Sequence, residues 1–142
     1  MRMKFPAPFG LLAVASLLLT LPACGHDQQL VSITIVPAIE TFGDANTPVD
    51  LDQGLNVQLR ALGSYIHPPV TKDITNQVTW VSNTPQMVTV NSTGLITATG
   101  LSCGGTIISA TVTTNHSEGN ISSTGALVTG SMTANVVCFV PK

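Results

Sequence analysis

The sequence predicts an all-β fold, a sandwich of about seven short antiparallel strands in two sheets, from three observations. The β-branched residues Val, Ile and Thr supply 41 of the 119 residues from position 24 onward, and all three favour strands. Gly and Pro recur often enough to interrupt long helices. Apolar and polar residues alternate in short segments between these breaks, and no window from residue 24 onward shows a convincing helical period.

Each predicted strand has apolar residues on one face and mostly Thr, Ser or Asn on the other, which is typical of a sandwich. In chain order, the residues predicted to point inward are Val31, Ile33 and Ile35; Leu55, Val57, Leu59 and Ala61; Val78 and Trp80; Val88 and Val90; Ile96 and Ala98; Ile108, Ala110 and Val112; and Met132, Ala134, Val136, Cys138 and Val140. Trp80, the only Trp, is predicted to fill the space between the sheets. The alternative is an exposed ring that stacks on a sugar, and the alternation disfavours it.

Residues 1–23 are predicted to be a signal peptide that ends before a lipidated Cys24. A basic start precedes the uncharged apolar stretch 9–21, which at 13 residues is short for a membrane span of ~20. The tetrapeptide LPAC at 21–24 resembles the lipobox of bacterial lipoproteins, in which the Cys is acylated and becomes the first residue. An ordinary signal that ends near residue 23 and an uncleaved anchor are the two alternatives.

A short tether, 24–29, is predicted to join the lipid to a single domain at 30–142. Gly25 stands where Asp is the usual retention signal for the inner membrane of Gram-negative lipoproteins, so it favours the outer membrane. From Cys24 onward, three basic residues oppose seven acidic ones, a net charge of −4. This balance excludes a basic patch for nucleic acid and gives no attraction to anionic lipids. Acyl chains such as palmitate must therefore hold the protein at the membrane, at ~0.8 kcal/mol per buried methylene.

The order of short motifs between 59 and 113 carries a family resemblance. A Thr-Trp pair precedes a Ser/Asn stretch and a Val-x-Val strand, and a Gly-x-Ile-Thr-Ala strand and a Gly-rich turn follow. The matching residues are Asp73, Ile74, Thr75, Thr79, Trp80, Ser82, Asn83, Pro85, Val88, Val90, Gly94, Ile96, Thr97, Ala98, Gly105, Thr106, Ile108 and Ala110. The pattern resembles the bacterial immunoglobulin-like domain of group 2, found in intimin- and invasin-type surface proteins. The resemblance spans about residues 30–140 and implies an immunoglobulin-like β-sandwich with a role in adhesion or spacing.

The sequence departs from that family at a pair of cysteines. Cys103 precedes the sixth predicted strand and Cys138 lies near the end of the seventh. If these strands form a hairpin, the two thiols come close, and an exported location favours their oxidation. The prediction is a disulfide. Two buried free thiols or a metal pair are the alternatives, although zinc needs four ligands and no matching Cys or His spacing is present.

A second departure is the polar stretch 115–125, where a tight hairpin is expected. Its residues His116, Glu118 and Asn120 are the candidate binding loop, since loops on rigid sandwiches often carry recognition. A flexible loop tip without a ligand is the alternative. The Ile-His-Pro-Pro segment at 66–69 is a second candidate, and a Pro-stiffened turn is its alternative.

No motif in the sequence indicates catalysis, a metal site or a cofactor. There is no nucleophile elbow, phosphate loop or acid–base pair of Glu, and the acidic run 50–54 lacks the later ligands of a calcium loop. The leading hypothesis is therefore a non-catalytic, lipid-anchored envelope protein for surface architecture, adhesion or binding of a protein or glycan. The alternative is a small envelope enzyme or metal-binding lipoprotein.

Overall fold

The computed structural model describes residues 28–43, 55–114 and 125–138, and these form strands joined by turns. The strands are β1 (Gln29–Val36), β2 (Ile39–Phe42), β3 (Asn56–Gln58), β4 (Arg60–Ile66), β5 (Val70–Asp73), β6 (Thr79–Ser82), β7 (Val88–Val90), β8 (Leu95–Ala98), β9 (Gly104–Thr114) and β10 (Ala126–Val136). Within these residues, no helix is long and apolar enough to span a membrane.

The strands form two layers. One is the four-stranded sheet with order β2-β10-β9-β6. The other contains the three-stranded sheets β1-β4-β5 and β3-β8-β7. Only Leu59 separates β3 from β4, and its N–H donates to the Gly94 carbonyl at 2.9 Å. The two small sheets therefore share one nearly continuous strand and make a single layer.

The core lies between the layers, on the inward side of each strand. Alternating burial along β4, β9 and β10 produces it, because successive side chains of a strand point to opposite faces. The residues with no measurable exposure are Leu59, Ala61, Val88, Ile96, Ile108, Ala110 and Ala134. The all-β sandwich predicted from the sequence is confirmed.

The described residues contain more strands than the seven predicted. The predicted strand at 55–61 is divided between β3 and β4, and β2 and β5 were not predicted. β2 also pairs with β10 in parallel, whereas only antiparallel pairs were expected. The reason is that Pro37 interrupts the ladder after β1, and the chain then crosses to the other layer, where it runs beside β10 in the same direction.

The prediction that Val31 points inward is wrong. A register shift between Leu30 and Ser32 interrupts the pairing of β1 with β4. An extra residue in one strand moves the following side chains to the other face. Leu30 is consequently buried at 2% exposure, and Val31 is 48% exposed.

The backbones of the two layers approach each other closely where β1 crosses β10. A Cβ added at Gly130 would lie 2.5 Å from the Ile33 carbonyl oxygen, a distance that side chains do not tolerate. Gly130 thus lets the backbones of the two layers meet without an intervening side chain.

Candidate functional site

Several predicted site residues lie outside the described residues. These are the lipidation candidate Cys24 and the candidate binding loop His116, Glu118 and Asn120. The structure does place the ends of the two strands that this loop connects. β9 and β10 pair antiparallel from Thr114 and Ala126 to Gly104 and Val136.

The two remaining cysteines lie at the other end of that hairpin. Cys103 and Cys138 are joined by a disulfide whose Cα atoms are 5.5 Å apart. The last ladder pair is Gly104 with Val136; Cys103 directly precedes Gly104 and Cys138 lies two residues after Val136, so the bond closes the hairpin at its open end. This is the arrangement that the sequence predicted from the hairpin, and it keeps both sulfurs from acting as free thiols or metal ligands.

Trp80 lies in the core, on β6. Its side chain is 8% exposed, and its indole N–H donates to the Thr75 carbonyl oxygen at 3.0 Å. Gly94 allows the ring to fit, since an added Cβ there would lie 2.9 Å from a ring carbon. A ring with its polar atom satisfied inside the protein acts as packing and is not available to stack on a sugar.

The turn before β6 holds a network centred on Thr75. The Thr75 hydroxyl accepts the Ala61 N–H at 3.0 Å and donates to Asp73 Oδ1 at 2.5 Å. Asp73 Oδ1 also accepts the Thr75 N–H, and Asp73 Oδ2 accepts Arg60 Nε, each at 3.0 Å. The hydrogen bonds from the Thr75 hydroxyl and N–H, followed by the one from Arg60, lower the pKa of Asp73 to about 2. Thr75 therefore connects β4, through the Ala61 N–H, and β5, through Asp73, with Trp80, which donates to its carbonyl oxygen.

This network forms one wall of an open polar cleft of about 590 Å³. Its lining includes Gln58, Arg60, Asp73, Asn76, Gln77 and Thr93. The Gln58 amide is held in place by hydrogen bonds to the Leu59 and Thr93 carbonyl oxygens. The cleft can form hydrogen bonds, but it contains one ion pair and amides and so offers no acid–base couple for proton transfer. Among the described residues, no three His, Cys, Asp or Glu side chains converge on a point where a metal ion could bind.

The second sequence candidate, 66–69, is the turn between β4 and β5. His67 has φ of 61° and is exposed, as are Pro68 and Pro69. In the adjoining strand, Lys72 Nζ lies 4.8 Å from the centre of the Tyr65 ring and donates to Gln28 Oε1 at 2.5 Å. These contacts fix the base of the turn, and none of the residues 66–69 lines the polar cleft.

The outward side of β2-β10-β9-β6 is a surface that sequence reasoning missed. We call it the neutral face, because none of its outward residues in the described strands is charged. One row across it is Ile39, Thr133 and Ile107, which are direct partners in the sheet, and the exposed fractions of the two Ile side chains are 66% and 46%. The next row is Val81, Ser109 and Ser131.

A signal for this face was present in the sequence. Ile107 and Ile108 are adjacent within one strand, and successive strand residues point to opposite faces, so one of the two had to face outward. The structure buries Ile108 and exposes Ile107. Exposed apolar side chains grouped on a sheet indicate a contact surface more strongly than scattered ones do.

The chain is similar to a known protein family. A family model described as bacterial Ig-like domain (group 2) matches residues 45–122, which is more than half of the 142-residue chain. No curated protein matches the chain.

Proposed function

Because the chain belongs to the bacterial Ig-like domain family (group 2), we propose that it is a non-catalytic envelope protein that works by surface contact and is anchored through a lipid on Cys24. Domains of this family occur in bacterial surface proteins, and the family is generally non-catalytic. The proposed contact role includes adhesion and the binding of a protein or glycan in the envelope.

The observation that carries the proposal is the neutral face on a closed sandwich. Its outward residues are Thr, Ser, Asn, Gly and exposed apolar side chains on four hydrogen-bonded strands. A surface of this kind changes little on binding, because the ladder and the core fix its backbone. It therefore suits recognition by contact.

The anchor is supported by the LPAC tetrapeptide and by the place where the fold begins. β1 starts at Gln29, five residues after Cys24. Five extended residues at ~3.3 Å each reach ~17 Å, so acyl chains on Cys24 would hold the sandwich close to the membrane surface. Two or more such chains give stable membrane anchoring.

Labelling with a palmitate analogue tests the anchor. We expect the native chain to incorporate the label and to fractionate with membranes, and we expect Cys24→Ser to lose both properties. A variant with Cys103→Ser and Cys138→Ser keeps Cys24 and should retain the label. Label on the Cys24→Ser protein, or a mature first residue other than Cys24 by mass spectrometry, would contradict the anchor.

Crosslinking in intact envelopes tests the contact role separately. We expect a photoreactive residue on the neutral face, at Ser131, to capture a specific protein or glycan more efficiently than one at the exposed Val70 of the other layer. Equal capture at the two positions would show that the neutral face is not the contact surface.

A further inference from the structure

We propose that two copies of this chain associate through their neutral faces, with a two-fold axis in the plane of contact. This rests on the proposed contact role, whose occupant on the neutral face it names as a second copy, and it does not depend on the lipid, since a protein without acyl chains has the same face. The argument rests on the charge of the face, its shape and its area.

Charge favours a second copy as the occupant. The described charged residues are Arg60, Lys72, Asp73 and Glu40, and the first three lie in the other layer. Glu40 is on β2, but it pairs with the buried Ala134 and so lies on the inward side. Two acidic copies repel one another through most orientations. No described residue on the neutral face is charged, so contact between two such faces brings no like charges of these strands together and buries none of them unpaired.

The shape offers both a ridge and a recess. Ile39, Thr133 and Ile107 are neighbours across three strands, and the two exposed Ile side chains are larger than Ser109 and Ser131 of the next row, so the row forms a ridge. Beside it is a depression of about 440 Å³, lined by Asn83, Gly105, Ile107 and Thr133. In a symmetric dimer each copy supplies a ridge and a recess, so one kind of face is sufficient.

The area fits a weak dimer. Strands are ~4.8 Å apart and rise ~3.4 Å per residue. The sheet contains β9 and β10, of 11 residues each, and β2 and β6, of four residues each, so its flat area is about 500 Å², without the additional surface of protruding side chains. Two such faces give about 1,000 Å², the lower limit for a specific interface. We therefore expect a reversible dimer rather than an obligate one.

Sedimentation equilibrium tests the proposal on the protein as its host produces it, in a neutrally buoyant detergent. We expect the native chain to show a concentration-dependent monomer–dimer equilibrium. Ile107→Lys places a charge at the centre of each face, so we expect the dissociation constant to rise at least about 30-fold, as for an interface hot spot.

Val31→Lys is the matched control. Val31 is 48% exposed against 46% for Ile107, is also β-branched, and lies on a strand of the other layer. We expect this variant to dimerise within about twofold of the native chain, the effect of a surface substitution outside an interface. Trp80 emission checks that each variant is folded, because the ring is buried in the native state.

Three outcomes would overturn the proposal. The first is a native chain that stays monomeric at every concentration reached, which would leave the face to a different protein or to a glycan. The second is equal weakening by Ile107→Lys and Val31→Lys, and the third is a dimer that neither change affects. If Ile107→Lys does not fold, Ile107→Thr keeps the β-branched shape without the charge and should still weaken the dimer more than Val31→Thr does.

Discussion

Replacing Thr75 by Val tests whether the hydroxyl of this residue joins the turn to the core. Val has nearly the same shape as Thr, so the packing of the 9%-exposed side chain is retained while both hydroxyl hydrogen bonds are lost. The buried Ala61 N–H loses the Thr75 hydroxyl as its acceptor, and a buried donor left without an acceptor costs about 1–3 kcal/mol. The bond to Asp73 adds less than the bond to Ala61, because water partly replaces it at an exposed carboxylate. We therefore expect the free energy of unfolding to fall by about 1–3 kcal/mol.

Two measurements check this. Urea titration followed by Trp80 emission gives the free energy of unfolding, and the slope with urea should not change. An NMR titration gives the pKa of Asp73, which is about 2 chiefly because of the Thr75 hydroxyl. That pKa should rise toward 3.8 in Thr75→Val. Thr75→Ser keeps the hydroxyl, so the pKa should stay low even though a methyl group is lost.

The result that would refute the reasoning is a Thr75→Val protein with an unchanged Asp73 pKa. It would mean that the hydroxyl does not donate to the carboxylate in solution. A Thr75→Val protein as stable as the native chain, with a loss confined to Thr75→Ser, would show that packing of the methyl group, and not the hydrogen bond to Ala61, is the contribution of this side chain.

Three further predictions concern the disulfide, the layer contact and acid stability. Replacing both Cys103 and Cys138 by Ser should lower the free energy of unfolding by about 4 kcal/mol, measured by urea titration. The two residues are 35 positions apart, and the disulfide restricts the unfolded chain over this whole loop, so its removal raises the entropy of the unfolded state. A loss under about 1 kcal/mol would contradict that account. Gly130→Ala should lower the free energy of unfolding by about 1–3 kcal/mol in the same assay, since its methyl group would lie 2.5 Å from a backbone carbonyl oxygen. Gly105→Ala should lower it less, because the methyl group there would lie 3.2 Å from a side chain that can move. Equal losses in the two variants would count against the close approach of the layers at Gly130. Because the folded pKa of Asp73 is lowered from 3.8 to about 2, its contribution to stability is present above pH 4 and is lost as the pH falls through 2. We therefore expect Asp73→Asn to be less stable than the native chain at pH 6 and to lose less stability on acidification. Parallel curves of stability against pH for the two proteins would contradict the lowered pKa.

The sequence determined the fold class and most of the core. Apolar residues at every second position of a short strand lie on the same face, so the buried face can be read from the local sequence alone. For this reason Ile96, Ile108, Ala110 and Ala134 lie inward as predicted. The periodicity also marked the two strands that flank the cysteines, and the structure shows that they pair as the hairpin on which the predicted disulfide depended.

Only the tertiary structure decided the features that depend on which strands meet. The bulge that turns Val31 outward arises from the pairing of β1 with β4, and the parallel pairing of β2 follows from the passage of the chain between layers. Likewise, Ile39, Thr133 and Ile107 are far apart in the sequence and become one row because three strands share a register. Alternation specifies which side of a strand is buried, and the contacts between strands specify which exposed residues become neighbours.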